Sequence, residues 1–294
     1  MKKFVLSLVV AASAALSANT PVYSKSDEIK IGVLAPRGEL TALSNWTEFG
    51  TYMSGALGTT VKIIPLPPPR VLNEAKAGNV DFVLSHPSHT LALAENMHGT
   101  PLVTLNKDSG PRFGGVIIAR KGSGIAKSED LRGKNVMSLE FKTAAGAYIF
   151  QAYHLKQKGI DVHKDMNLKA GKKQDDLVFA VRAGVIDAAF VRTGLLEAMQ
   201  KEGKIKIEEF VIVDQRQDAN FPFVHSTALY PEWYLTAVSS SGKKLADKAK
   251  VAAVQLKPDM PAAKKAKIVG FVEPVSLTEM KAALKSLKIT PYDK

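Results

Sequence analysis

"VRAGVIDAAFVRTG", residues 181–194, carries an arginine where a buried strand runs into a helix. Ala188 to Val191 are continuously apolar, as in a strand covered on both faces, and Leu195 to Met199 begin a helical pattern. Arg192 and Thr193 stand at the junction. A gapless match lies upstream in "AKAGNVDFVLSHPS", residues 75–88. It sets Gly78 against Gly184, Asp81 against Asp187, and Ser85-His86-Pro87-Ser88 against Val191-Arg192-Thr193-Gly194. A second pairing has nearly the same offset. "KIGVLAPRG" (30–38) lies over "NVMSLEFKT" (135–143), which puts Arg37 opposite Lys142. The chain therefore reads as two lobes of one plan, each built from strand–basic loop–helix and helix–AGxxD–strand–loop. The four loops carry Arg37, Ser85-His86, Lys142-Thr143 and Arg192-Thr193.

Outward from these units the same alternation continues. "EIKIGVL" and "TTVKIIPL" are strand patterns, and between them Leu43, Trp46, Phe49, Tyr52 and Met53 recur at helical spacing. "PPPR" ends the second strand, because consecutive prolines cannot continue a ladder. "RVLNEAKAG" is a short helix closed by Gly78, and "VDFVLS" is a third strand. Strands alternating with helices predict a largely parallel sheet with ligands at the carboxyl ends of its strands. "RFGGVIIARKG" (112–122) is an extended crossing into a second strand–helix series, and "HSTALYPEWYLTAV" (225–238) is the return. The expected lobes are residues 25–118 with 232–294, and residues 119–231. Helices from "KKLADKAKVAAVQL" onward should pack back on the first.

The 294 residues suffice for two domains and a sizeable core. A net charge of +12 attracts anions, but the lysines are scattered and no dense basic run with interleaved aromatics appears, so a nucleic-acid partner is not expected. "MKKFVLSLVVAASAALSA" has two lysines, an apolar run and small residues, the plan of a cleaved signal peptide over residues 1–24. Cleavage after Ala14, Ala18 or Ser24 fits equally. With no cysteine there is neither a lipid-attachment thiol nor a disulfide framework. The expectation is a soluble, exported, monomeric protein of the periplasm.

The loops are rich in donors and cations. Thr143 reads as an N-cap, whose helix start favours an anion, with Lys142 adding charge. The Arg192 guanidinium matches a carboxylate or tetrahedral oxyanion, or else it salt-bridges Glu197 one turn on. His86 and His89 lack a cysteine or nearby acid to complete a metal set, so with Ser85 and Ser88 they read as hydrogen-bond donors. His225, Ser226 and Thr227 sit between aromatic and proline-rich flanks in "FPFVHSTALYPEW". No GxSxG elbow, GxxxxGK[ST] loop or GxGxxG turn is present, and no paired carboxylates mark a strand end. Neither a cofactor nor a metal is expected. The enzyme alternative is a periplasmic hydrolase or transferase with His86 or His225 as base. The pattern favours holding an anion over transforming it.

"IKIGVLAPRG", "AGNVDFVLSHPSH", "FGGVIIAR", "LRGKNV", "AGVIDAAFVRTGLLE" and "FPFVHSTALYPEW" together resemble the periplasmic substrate-binding proteins of phosphate, phosphite and phosphonate ABC transporters. "FVRTGLLE", "HSTALYPEW" and "LKITPY" are similar to the sensor domains of tetrathionate-responsive histidine kinases, which share that fold. The resemblance implies an α/β, two-lobed clamshell of the type II periplasmic-binding fold with two hinge crossings. It implies ligand contacts from Arg37, Ser85 to Ser88, Lys142-Thr143, Arg192-Thr193 and His225 to Thr227. It also implies a small oxyanion as ligand, and a permease or a sensor histidine kinase as membrane partner. Phosphonate-binding members usually carry a Ser/Thr-rich helix start in the second lobe, where this chain has "KTAAG" with one hydroxyl. Arsenite-type members are expected to use cysteine, and this chain has none.

Overall fold

A computed structural model describes residues 28–238 and 241–293. The signal-peptide reading of residues 1–24 lies outside the described residues. The chain runs through β1 (Ile29–Leu34), α1 (Glu39–Leu57), β2 (Val61–Leu66), α2 (Val71–Lys76), β3 (Phe82–Ser85), α3 (Pro87–Met97) and β4 (Thr100–Asn106). It then passes the two-residue β5 (Arg112–Phe113) into β6 (Gly115–Arg120) and β7 (Asn135–Ser138). A wide turn over Ala145–Ile149 leads into α4 (Phe150–Gln157), followed by β8 (Asn167–Ala170), α5 (Gln174–Arg182), β9 (Ala188–Arg192), α6 (Leu195–Lys201) and β10 (Phe210–Ile212). The return is β11 (Tyr230–Pro231) and β12 (Tyr234–Ala237), and the chain closes with α7 (Lys243–Gln255), α8 (Pro261–Ala266), β13 (Gly270–Val272) and α9 (Thr278–Leu287).

Two sheets result, ordered β13-β4-β12-β3-β1-β2 and β10-β6-β9-β7-β8. β1 is parallel to β2 and β3, and β7 is parallel to β8 and β9. The returning β12 inserts antiparallel between β3 and β4, and β6 is antiparallel to β9 and β10. The two crossing segments pair with each other, as β5 with β11. This is the expected α/β plan of two mostly parallel sheets. β6 lies whole in the second sheet, so that crossing precedes Gly115 rather than following Ile118.

The period of two decides which face each residue covers. In β6, Val116 and Ile118 pack with α5 and α6, while Ile117 and Ala119 face α4. In β9, Ala189 and Val191 join the first group, and Ala188 and Phe190 the second. On the first sheet, Trp46, Phe49 and Met53 of α1 pack with Ala249 and Ala253 of α7 and Ala263 of α8. These are the helical positions that the spacing of α1 picks out. α9 departs from the expectation that the last helices return to the first lobe. Met280, Ala283 and Leu284 are buried with Phe150 and Tyr230 beside the second sheet, and α9 touches both α3 and α4.

The internal echo is physical. Gly78 and Gly184 end α2 and α5 at φ 71° each, in the left-handed region that glycine enters without penalty. Asp81 Oδ2 accepts the Lys30 N–H at 2.9 Å, and Asp187 Oδ2 accepts the Asn135 N–H at 2.8 Å. The same two aspartates donate their own N–H to the carbonyls of Lys30 and Asn135. Each aspartate thus clips its strand to a parallel neighbour, β3 to β1 and β9 to β7, at the positions the aligned sequences pair.

The crossing is stitched by side chains. Gly114 N–H donates to Thr193 Oγ1, Gly115 N–H to Thr227 Oγ1, and Ile117 N–H to Ser226 Oγ. Gln151 is fully buried and its Nε2 donates to the carbonyls of Gly146 and Val191. A Cβ on Gly115 would meet the Gln151 carboxamide at 2.5 Å, and those bonds keep it from swinging away. Gly115→Ala should therefore cost about 1–3 kcal/mol in urea unfolding. Gly55→Ala, inside α1 with open space around it, should instead stabilise by about 0.5–1 kcal/mol.

Candidate functional site

The carboxyl ends of six strands open on one cleft. Pro36 follows β1, Pro68 follows β2, His86 follows β3, Leu139 to Thr143 follow β7, Gly171 and Lys172 follow β8, and Arg192 ends β9. The cleft holds about 560 Å³, and a recess of about 180 Å³ under Arg37 and Lys107 adjoins it. Leu34, Pro36, Arg192 and Trp233 line both. The cations on the walls are Arg37, Lys107, Lys142, Lys172 and Arg192, and Glu140 is the lining carboxylate. Proline, alanine, Phe113 and Trp233 make up much of the remaining wall. The arrangement offers charge-assisted donors to an anion in an otherwise apolar groove.

Arg192 is fixed rather than free. Its backbone N–H donates to Gln174 Oε1 at 2.8 Å, and its guanidinium lies 5.2 Å above the Phe113 ring. It pairs with Glu232 Oε1 at 3.2 Å, and the same oxygen receives Lys107 Nζ at 2.8 Å. Glu197, the partner that helical spacing suggests for Arg192, instead accepts the Val224 N–H at 2.8 Å. Burial pushes the Glu232 carboxyl up, but Lys107 and Arg192 outweigh it and hold it below the usual range. Burial, and then Arg192, pull Lys107 below its ordinary value.

Of the other sequence-predicted residues, His86, Lys142 and Thr143 line the cleft and Arg37 lines the adjoining recess. Arg37 is exposed and reaches Asp175 of α5 at 3.9 Å, a pair across the mouth. His86 precedes α3, its Nδ1 bonds Ser88 Oγ at 2.8 Å, and its ring stacks on His89 at 4.1 Å. Burial lowers the His86 pKa to about 4 and holds His89 well below its usual value. Both imidazoles are neutral at pH 7 and act as dipoles, not cations. Ser85 ends β3 with its Oγ fully buried and, among the described residues, without a hydrogen-bond partner.

Thr143 is not the helix cap that its position suggests. Glu140 Oε2 accepts the N–H of Lys142 at 3.0 Å, the N–H of Thr143 at 2.9 Å and the Thr143 hydroxyl at 2.7 Å. A carboxylate of the chain itself occupies the donors that sequence reasoning reserved for a ligand. Thr193, Ser226 and Thr227 give their oxygens to the backbone of the crossing and are buried outside the cleft lining. His225 is buried too, with Nδ1 bonded to the Thr227 carbonyl at 2.9 Å. Sequence reasoning missed Lys107, Glu232, Trp233, Lys172 and Glu140. A signal existed for Glu232, an isolated acid in the apolar run "ALYPEWYLTAV".

Residues 31–293 match the family described as ABC transporter, phosphonate, periplasmic substrate-binding protein. A curated relative, the tetrathionate sensor histidine kinase of Salmonella typhimurium, is 32% identical over 225 residues, 74% of this chain. The match spans 38% of that protein's length. Among solved structures, PhnD1 of Prochlorococcus marinus in complex with methylphosphonate superposes with a TM-score of 0.71 at 15% identity, over 89% of this chain and 98% of that one. A binding-protein component of an ABC phosphonate transporter from Pseudomonas aeruginosa gives 0.68 at 17% identity, over 88% and 85%. At such identities these two likenesses establish the fold alone. The family match shows that the chain belongs to the phosphonate-type periplasmic substrate-binding proteins of ABC transporters, and the likenesses with the two-sheet architecture show the type II periplasmic-binding fold.

Proposed function

We propose that the protein captures a small oxyanion in the cleft between its sheets and presents the closed form to a membrane partner. The observation that carries this reading is Arg192, a permanent cation anchored at a strand end where both cavities meet. Arg37, Lys107, Lys142 and Lys172 add positive charge on the same walls. A ligand that touches residues of both sheets binds the closed form better than the open one, and that difference in affinity drives closure. The lobes are those of the sequence reading with the first crossing moved ahead of Gly115 and α9 packed beside the second sheet, and the setting is the periplasm. The partner is a permease, as the family description implies. A specific observation favours a second output: the sensor kinase is 32% identical to this chain, so the closed form could instead be read by a histidine kinase. The ligands compared first are therefore phosphate, phosphonates, arsenate, thiosulfate and tetrathionate.

Binding without chemistry fits the histidines. His225 is turned into the crossing, and His86, with its pKa lowered to about 4, is a weak base at neutral pH. Turnover of a phosphate ester by the purified protein, abolished in a His225→Ala variant, would restore the enzyme alternative.

Arg192→Ala should weaken calorimetric affinity for the anion by roughly ten- to a hundredfold, the worth of a charge-assisted hydrogen bond. Circular dichroism should show the fold retained, and an unchanged affinity would remove Arg192 from the site. In a thermal-shift screen of the five anion classes, a ligand at a hundred times its Kd should stabilise by about 2.7 kcal/mol. Stabilisation by none of them would leave the cleft without an anion function.

Glu140→Ala releases the N–H groups of Lys142 and Thr143 and removes a negative charge from the wall. Affinity for inorganic phosphate should rise by about tenfold in that variant. The amide resonances of Lys142 and Thr143 should shift on adding phosphate to the variant and stay in place in the unmodified protein.

A further inference from the structure

The Lys107–Glu232–Arg192 cluster does more than add charge to the cleft. Glu232 stands on the return crossing, between β11 and β12, with its side chain 1% exposed. Lys107 follows β4 of the first sheet and Arg192 ends β9 of the second. One carboxylate oxygen therefore holds a cation from each sheet, and both cations line the recess where cleft and hinge meet. Glu232 Oε2 is buried and, among the described residues, makes no hydrogen bond of normal geometry. We propose that Glu232 is the positioning residue of the cleft, keeping Lys107 charged and aiming Lys107 and Arg192 together at a single oxyanion. This proposal rests on the anion-binding reading above.

The electrostatics give the role its direction. The ammonium of Lys107 faces Arg192, a like charge, and Arg37 stands on the same recess. Its chain neighbour Asp108 is exposed, and Arg112 of β5 is engaged by the Leu229 carbonyl. Burial and Arg192 both favour the neutral amine, and Glu232 opposes them with its charge and its hydrogen bond. Without that carboxylate, the desolvated lysine beside an arginine releases its proton at a lower pH. The cleft then loses a cation in the range where the unmodified protein keeps it. Arginine at position 107 has no such weakness, because guanidinium does not deprotonate at these pH values.

The test is Glu232→Gln, which keeps the shape and removes the charge. The Lys107 ¹³Cε resonance, followed by NMR without ligand, should titrate about one to three pH units lower in the variant. An unmoved midpoint overturns the proposal, whatever the cleft binds. Calorimetry with sulfate and ethane-1,2-disulfonate, which do not titrate between pH 6 and 9, gives the second readout. Affinity should be nearly flat over that range in the unmodified protein. In Glu232→Gln it should fall by about tenfold as Lys107 deprotonates, and adding Lys107→Arg should restore the flat profile. A purely structural glutamate would lower affinity by one factor at every pH, with no rescue by arginine, and that result also overturns the proposal. A shifted midpoint with neither anion bound by the unmodified protein instead overturns the anion-binding reading on which the proposal rests. Should Glu232→Gln fail to fold, Glu232→Asp withdraws the carboxylate by one methylene and should lower the midpoint in the same direction.

Discussion

A carboxylate shut away from water keeps its charge only beside cations, and Glu232 depends on two that arrive from different sheets. An unpaired buried charge is costly, and Glu232 avoids that cost by holding both Lys107 and Arg192 on one oxygen. The cluster sits where β11 turns into β12, the strand that inserts between β3 and β4 and closes the first sheet. The ends of β4 and β9 and the return crossing are therefore tied at one point, beside the recess that Lys107 and Arg192 line. The net charge there is positive because two cations share one acid. The buried acid needs the cations, which stay partly exposed on the recess wall, and the surplus cation is what the proposed anion would use.

Around that point the crossing is held by hydrogen bonds that a sequence does not display. Thr193, Ser226, Thr227 and Gln151 all serve the backbone of Gly114 to Ile117 or its neighbours. In "FPFVHSTALYPEW" the hydroxyls read as ligand donors because aromatic and proline flanks frame a site and a buried hinge alike. Only the direction of each Oγ separates the two, and direction follows from the antiparallel approach of β6. Thr143 shows the same limit at shorter range. Its place after a strand suggests a cap, and the acid three residues earlier decides otherwise.

What was legible came from pattern repeated at a distance. The AGxxD match fixed two helix ends and two aspartate clips that occupy equivalent places in the two sheets. The near-equal offset of the strand–loop match put Arg37 and Lys142 in corresponding loops, and they line the recess and the cleft respectively. Periodicity also placed α1 and its buried face. Lys107 and Lys172 carried no such mark among scattered lysines, and α9 gave no sign of leaving the first sheet. Arg192 was read as either a ligand residue or one half of a salt bridge. It is paired, to Glu232, and it also lines the cleft. A lone cation and a lone acid, each in an apolar run, are partners across 40 residues of chain.

The shape of the cleft bears on which anion it can favour. Its volume is of the size that encloses a drug-sized molecule, far more than a bare tetrahedral oxyanion fills. Much of the wall is proline, alanine and aromatic ring, which gains nothing from a small hydrated ion and something from an apolar or polarisable body. Glu140 acts in the same sense, because it takes the backbone donors on the β7 side and sets a negative charge beside Lys142. An oxyanion small enough to sit in that loop alone must displace a carboxylate already bonded three times. An anion anchored at Arg192 and Lys107, and long enough to reach Lys172 past the apolar wall, avoids that competition. On the proposed anion-binding reading, selectivity would then come less from the number of cations than from which donors the protein has already filled with its own acids.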